Sequence, residues 1–187
     1  RKAVARTLAS RAYAGTAWDL VQRLTQRVEY QHPLLGNAVS DDGEGKRREH
    51  GKTAIIVISS NRGLCGSFNA RVTTEAMKLK DVEYITMGRK SRDMIRRTGS
   101  AIAADFEKKD VTTSSADLSP LTRLVMDGFL DGTYVRVSVV YTDFVSSLAQ
   151  KTRVKQLLPF TAEEDLNLGH VRYAEVEPPY ILLFYCP

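Results

Sequence analysis

Apolar positions along the chain recur with several different periods. Between residues 1 and 29, Val4, Leu8, Ala12, Ala17, Val21, Leu24 and Val28 recur at steps of three and four with one step of five, and the segment holds no Pro and one Gly. That spacing predicts an amphipathic helix, about 43 Å long if continuous. From Ala17 onward the steps form a short heptad seam. His32 and Pro33 end the pattern. Residues 37–52 are half charged and contain three Gly, which reads as a solvated loop. Thr53, Ala54, Ile55, Ile56, Val57, Ile58, Ser59 and Ser60 follow as a nearly unbroken run rich in β-branched residues, the pattern of a strand buried on both faces.

Beyond a glycine turn at 63–66, strands and helices alternate. A helix is predicted over 67–80, with Phe68, Val72, Ala76 and Leu79 on one side. A strand over 82–87, a basic helix over 88–97 and a weaker strand over 100–106 come next. A helix over 117–130 presents Leu121, Leu124, Val125, Met126 and Phe129, with Ser119 as a candidate cap and Pro120 in its first turn. Strands over 133–141 and 154–160 complete the series. The alternation predicts an α/β fold: a mainly parallel, Rossmann-like sheet with helices on both faces and its first strand central, plus the N-terminal amphipathic, coiled-coil-type helix.

Composition adds bounds. In 187 residues, 43% are hydrophobic and 26% charged, enough to bury a core, so disorder is not expected. The net charge of +5 is uneven: Arg1, Lys2, Arg6, Arg11, Arg23 and Arg27 face a single acid, Asp19, within the first 28 residues. An anionic partner would meet the chain there, although a solvated helix face accounts for the same charges. The two cysteines, Cys65 and Cys186, make no disulfide framework by spacing, and reduced thiols in an intracellular compartment are expected. No uncharged apolar run reaches the roughly 18 residues of a spanning helix, so no direct membrane span is expected. The first residue is Arg1 and no signal-peptide pattern follows, so the chain reads as a fragment or a processed product.

Candidate chemistry centres on the turn that runs from Ser59 through Asn61, Arg62, Gly63, Leu64, Cys65, Gly66 and Ser67 to Asn69. A Gly-rich turn before a helix can cradle a phosphate on free backbone amides. However, no Lys-Ser/Thr pair follows, the Gly spacing does not fit a dinucleotide fingerprint, and no acid stands near Met87 to hold a ribose. A tight strand-to-helix turn that needs positive φ explains the glycines equally. Cys65 as a nucleophile would require a histidine partner, and His32, His50 and His170 all fall in predicted loops with no informative spacing. Those histidines and two distant cysteines make no metal motif. The basic segment 88–98 lacks interleaved aromatics for base stacking, so a solvated face is favoured over nucleic-acid binding. No catalytic residue, cofactor site or metal site is assigned.

These residues carry a resemblance. The segment Ser60, Asn61, Arg62, Gly63, Leu64, Cys65, Gly66, Ser67, Phe68, Asn69 resembles the signature of the gamma subunit of the F-type ATP synthase. That family usually shows a Ser, an Asp or Asn, then Arg-Gly-Leu-Cys-Gly-Gly and a following Asn; Ser67 stands at the second Gly. A second block agrees: Tyr141, Thr142, Asp143 and Phe144, then Leu148, Ala149 and Gln150, then Val154, Lys155, Gln156, Leu157, Leu158 and Pro159. A third, Glu29, Tyr30, Gln31, His32, Pro33 and Leu34, is similar to the end of the family's N-terminal helix.

The resemblance implies a rotor subunit without a catalytic site or cofactor of its own. It would couple proton-driven rotation of the c-ring to ATP synthesis in the catalytic head. The implied partners are the alpha and beta subunits, the epsilon subunit and the c-ring, with no nucleic acid. The implied location is peripheral on the energy-transducing membrane, at the cytoplasmic face of a bacterial inner membrane or in a mitochondrion or plastid. Residues 1–36 would be part of the shaft helix, 37–52 a charged loop, 53–178 the globular body and 179–187 the start of a truncated C-terminal segment. More shaft helix would precede Arg1. Tyr173, Glu177 and Pro178 would contact epsilon or the c-ring. The alternatives carried forward are a nucleotide- or phosphate-binding Rossmann-type enzyme and a nucleic-acid-binding module.

Overall fold

The computed structural model describes residues 16–18, 20–21, 34, 51–108, 115–146 and 149–160. The strands are β1 (Lys52–Ile58), β2 (Val82–Met87), β3 (Ile102–Phe106), β4 (Tyr134–Phe144) and β5 (Gln150–Leu158). The helices between them are α1 (Phe68–Met77), α2 (Arg89–Arg97) and α3 (Ser115–Leu130). They form a mixed sheet in the order β3-β2-β1-β4-β5. The pairings of β1 with β2, β1 with β4 and β2 with β3 are parallel, and β4 pairs with β5 antiparallel.

The apolar run of β1 explains its place in the middle. Ala54, Ile55, Ile56, Val57 and Ile58 are all buried, because alternate side chains enter opposite layers. Ala54, Ile56 and Ile58 meet Leu121, Val125 and Phe129 of α3. Ile55 and Val57 meet Val72 and Ala76 of α1 and Ile95 of α2. The helices therefore cover both faces, α3 on one and α1 with α2 on the other.

Several boundaries move from the sequence expectation, two of them with a clear cause. Helix α3 starts at Ser115, so Pro120 lies inside the helix and Ser119 does not cap it. Proline at that position forfeits the bond its amide would make to the Ala116 carbonyl; packing of Leu121, Val125 and Phe129 carries the helix through it. Strand β5 starts at Gln150 rather than 154, because its polar first half is held by β4, with Thr142 opposite Thr152 and Asp143 opposite Lys151. The connection is tight: the Val145 amide donates to the Ala149 carbonyl at 3.2 Å.

At the opposite, amino end of the sheet, Glu83 ties three strands. It accepts from Lys52 Nζ on β1 at 2.5 Å and from the Tyr134 hydroxyl on β4 at 3.1 Å. The bond from Lys52 holds the Glu83 carboxyl below its ordinary value against the opposing effect of burial, and the Tyr134 hydroxyl helps. Tyr134 in turn is pushed up by burial and by its bond to Glu83.

Of the expected N-terminal helix, residues 16–18, 20 and 21 are described, all helical. Tyr173, Glu177, Pro178, His170 and Cys186 lie outside the described residues.

Candidate functional site

The signature turn leaves the carboxyl end of the central strand, where β1 gives way to the loop leading into α1. Its inner side is filled by protein. The Asn69 carboxamide oxygen accepts the Ser60 amide at 2.9 Å, and the Ser60 hydroxyl lies 3.0 Å from the same oxygen. That hydroxyl donates to the Arg62 carbonyl at 2.6 Å, which Asn69 Nδ2 also approaches at 3.5 Å. Asn69 thus bridges the last strand residues and the turn, which explains an Asn at that position.

The residues just before the turn cap α2 instead of a ligand. The Lys90 amide donates to the Ser60 carbonyl at 3.1 Å, the Ser91 amide to Ser59 Oγ at 2.9 Å, and the Arg89 amide to Asn61 Oδ1 at 3.3 Å. The first amides of α2 have no intrahelical partner, and three of them are satisfied in this way. Ser59 and Ser91 are fully buried and their hydroxyls are 2.8 Å apart. Asn61 also donates to the carbonyl of Lys108 at 2.6 Å, and the buried Lys108 Nζ reaches the Ser59 carbonyl at 3.5 Å. Gly88 makes this seam possible: its φ is +110° and an added Cβ would stand 2.4 Å from the Ser59 carbonyl oxygen.

A phosphate cradle needs amides pointing inward. Here the Arg62 carbonyl accepts from Ser60 and Asn69 inside the turn, and the first amides of the neighbouring helix α2 are taken by Ser59, Ser60 and Asn61, while α1 begins at Ser67 without a side-chain cap. Positive φ falls on Gly66 (+57°) and on Leu64 (+62°), not on Gly63. Leu64 holds a left-handed conformation that costs a branched side chain about 1 kcal/mol, and its side chain is fully exposed. Ser67, standing at the family's second Gly, has an ordinary φ of −81°, so its Cβ is accommodated. Arg62 and Gly63 are exposed beside Leu64, and Gly63 lies near the Lys90 stem. Cys65 is disulfide-bonded, which corrects the reduced thiol expected from the sequence; its partner lies outside the described residues.

The second sequence block maps to β5, and the sheet separates its parts. Gln150 pairs opposite Phe144 at the carboxyl end of β4, the end that bears the signature turn. Leu158 pairs opposite Val137 near the other end. There Leu158 is buried in the α3-side core, Leu157 packs against it, and Gln156 Nε2 donates to the Pro159 carbonyl at 2.9 Å. The Leu158–Pro159 peptide is cis. Sequence reasoning did not single out Gly88, Ser91, Lys108, Trp18 or Phe160. Gly88, directly after a predicted strand and before a predicted helix, was the one legible signal among them.

Comparison with known proteins follows this geometry. A family model described as ATP synthase matches residues 1–183. An ATP synthase gamma chain of Legionella pneumophila (strain Corby) is 29% identical over 181 residues, covering 91% of this chain and 59% of its own length. One from Heliobacterium modesticaldum is 33% identical over 168 residues, covering 87% of this chain and 54% of its own length. The chain thus spans between half and two thirds of the length of these relatives. In fold it is similar to a chain in the rotor of the Euglena gracilis mitochondrial ATP synthase (TM-score 0.50, 18% identity, 88% of this chain and 63% of that one). It is also similar to one in the central stalk/c-ring structure of the Tetrahymena thermophila mitochondrial enzyme (TM-score 0.52, 16% identity, 85% and 73%). With the family model matched along nearly its whole length, the chain belongs to the ATP synthase family, alongside gamma chains.

Proposed function

We propose that this chain is the body of the central-stalk (rotor) subunit of an F-type ATP synthase, coupling proton-driven rotation of the c-ring to ATP synthesis in the catalytic head. The observation that carries the reading is the spent chemistry of the signature turn. Ser60, the Arg62 carbonyl and Asn69 bond to one another and fix the turn to the end of the strand, Asn61 caps the neighbouring helix, and what the turn offers outward is Leu64, Arg62 and Gly63. Such a turn is suited to touch a partner, not to hold a nucleotide. Membership in the ATP synthase family supports the same reading.

On this reading residues 53–178 form the Rossmann-like body, with the parallel pairings of β1 to β4 as its frame. Residues 1–36 belong to the shaft helix, 37–52 to a charged loop whose last residue, Lys52, already opens β1, and 179–187 to the start of the C-terminal segment. The partners are the alpha and beta subunits, the epsilon subunit and the c-ring, with Tyr173, Glu177 and Pro178 on the side of epsilon and the c-ring. The subunit sits peripherally on the energy-transducing membrane, at the cytoplasmic face if the source is bacterial. Among the described residues no helix is long and apolar enough to cross a membrane.

The test is co-purification of the tagged full-length chain with alpha, beta and epsilon subunits, followed by ATP-driven proton pumping in vesicles. Recovery of a complex that pumps is expected. A chain that captures none of these subunits, or binds Mg-ATP tightly by itself, defeats the proposal.

A further inference from the structure

A second cluster of contacts lies beside β5, where the N-terminal helical residues meet it. We propose that Trp18, Phe160 and Lys155 form the joint through which the sheet body drives the N-terminal helix, with Trp18 as its positioning residue. This inference rests on the rotor reading.

The indole of Trp18 stacks on Phe160 with ring centroids 5.5 Å apart and planes tilted by 56°. That offset, tilted approach is a favoured geometry for two aromatic rings. The Nζ of Lys155 stands 4.0 Å from the centroid of the Trp18 ring, within range for attraction between an ammonium and an electron-rich ring face. The same Phe160 is also held through its backbone: its amide donates to the Leu34 carbonyl at 2.9 Å. Trp18 before Pro33 and Leu34 after it therefore converge on one residue. Leu34, Leu157 and Phe160 pack against the α3-side core, and Lys155 lies opposite Val139, which is fully buried in that core. Lys155 thus lies on a paired strand, and Phe160 two residues past its end is packed against the core.

Trp18 Nε1 is buried with no hydrogen-bond partner. Ring stacking and one cation hold the indole, without a directional bond from its N–H. A sideways push on the helix must slide the indole along Phe160 or lift it from Lys155, and either movement loses contact. The position of the cluster matters as well. Because β5 runs antiparallel to β4, Lys155 lies opposite Val139 at the middle of β4 and Phe160 lies beyond Leu158, which pairs with Val137, whereas the signature turn leaves the carboxyl end of β1. Val57 near the end of β1 lies opposite Val140 and Leu158 opposite Val137, so about 10 Å of strand separates the two levels at the rise of an extended strand. Force carried by the paired strands reaches the helix at Trp18.

The chain has a single tryptophan, so its fluorescence reads the joint directly. In the 187-residue chain, Lys155→Met, which keeps the aliphatic stem, is expected to red-shift Trp18 emission, and Lys155→Arg to leave it unchanged. In the assembled ATP synthase containing the full-length chain, Trp18→Ala and Lys155→Met are expected to lower the ratio of ATP-driven proton pumping to ATP hydrolysis by about threefold, the size of one such contact expressed as an equilibrium. Lys155→Arg restores the ratio; a merely structural lysine would lower the thermal midpoint in Lys155→Met and leave the ratio alone. A coupled wild type with equally coupled Trp18→Ala and Lys155→Met variants overturns this inference by itself. A wild-type chain that assembles no coupled complex overturns the rotor reading, and the inference with it.

Discussion

Replacing Gly88 with alanine is expected to be the most damaging single-atom change in the body of the protein. Gly88 sits at φ +110° and ψ 138°, a conformation that side-chain-bearing residues rarely adopt; forcing one into it costs about 1–3 kcal/mol. The new Cβ would also stand 2.4 Å from the Ser59 carbonyl oxygen and 2.8 Å from both Ser59 C and Ser59 Oγ. Ser59 cannot retreat, because it is fully buried at the end of the central strand and its amide is bonded to the Met87 carbonyl at 2.9 Å. So α2 must move, which breaks the bonds from the Ser91 amide to Ser59 Oγ and from the Lys90 amide to the Ser60 carbonyl. Each is worth about 0.5–1.5 kcal/mol net. Together with the backbone strain this gives about 3–5 kcal/mol, a large part of the roughly 5–15 kcal/mol that keeps a domain folded. Urea unfolding followed by far-ultraviolet circular dichroism measures the loss. Gly66→Ala and Gly99→Ala are the controls: both have positive φ (+57° and +75°) but nothing within 4 Å of the added atom. They should cost only about 1–2 kcal/mol, the left-handed penalty alone. A Gly88→Ala variant no less stable than these controls would refute the seam between Ser59 and α2.

Three further outcomes are expected. Gly128→Ala places a Cβ 2.6 Å from the Tyr134 ring, so it should destabilise the protein by about 1–3 kcal/mol and loosen the bond from Tyr134 to Glu83; wild-type unfolding would count against the packing described. Because the Glu83 carboxyl is held below its ordinary value near 4.5, its contribution is present above that value and disappears as pH falls through the lowered one. Glu83→Gln should therefore flatten the acid limb of stability measured below about pH 4.5, and an unchanged acid limb would mean that the bond to Lys52 contributes nothing to folding. Isothermal titration of the chain with Mg-ATP should show no micromolar binding, since no Lys-Ser/Thr pair follows the turn and its interior is taken by the Arg62 carbonyl and Asn69; a micromolar isotherm would reopen the enzyme reading.

The sequence made the centre of the sheet readable and left its margins obscure, for a physical reason. Ile55, Ile56, Val57 and Ile58 are buried from both sides, so their apolar character shows without reference to any neighbour. Strand β5 is an edge strand whose Gln150, Lys151, Thr152 and Arg153 are polar; it exists because β4 offers a row of bonding groups, and nothing local announces that. Helix α3 begins at Ser115, two residues before the expected start, because Pro120 in isolation marks a first turn, and packing of Leu121, Val125 and Phe129 lets the helix begin ahead of it. The joint at Trp18 was invisible for a similar reason. It depends on residues 18, 34, 155 and 160 meeting, and no periodicity links them.

The signature turn itself poses the harder question, because a Gly-rich turn after a buried parallel strand is also how doubly wound enzymes hold phosphate. What separates the two uses is an accounting of amides. An enzyme leaves the first amides of the helix unpaired so that a ligand can complete them. Here the next helix along, α2, leans over the end of β1, and Ser59, Ser60 and Asn61 take the three amides at its start. Asn69 meanwhile spends its carboxamide on Ser60 and Arg62. The side chains of Ser59, Ser60, Asn61 and Asn69 all turn toward the strand, the turn or α2, and the turn's exposed tip, Leu64, is apolar. On the rotor role proposed above such bracing matters, since a contact point that yields under load would dissipate torque.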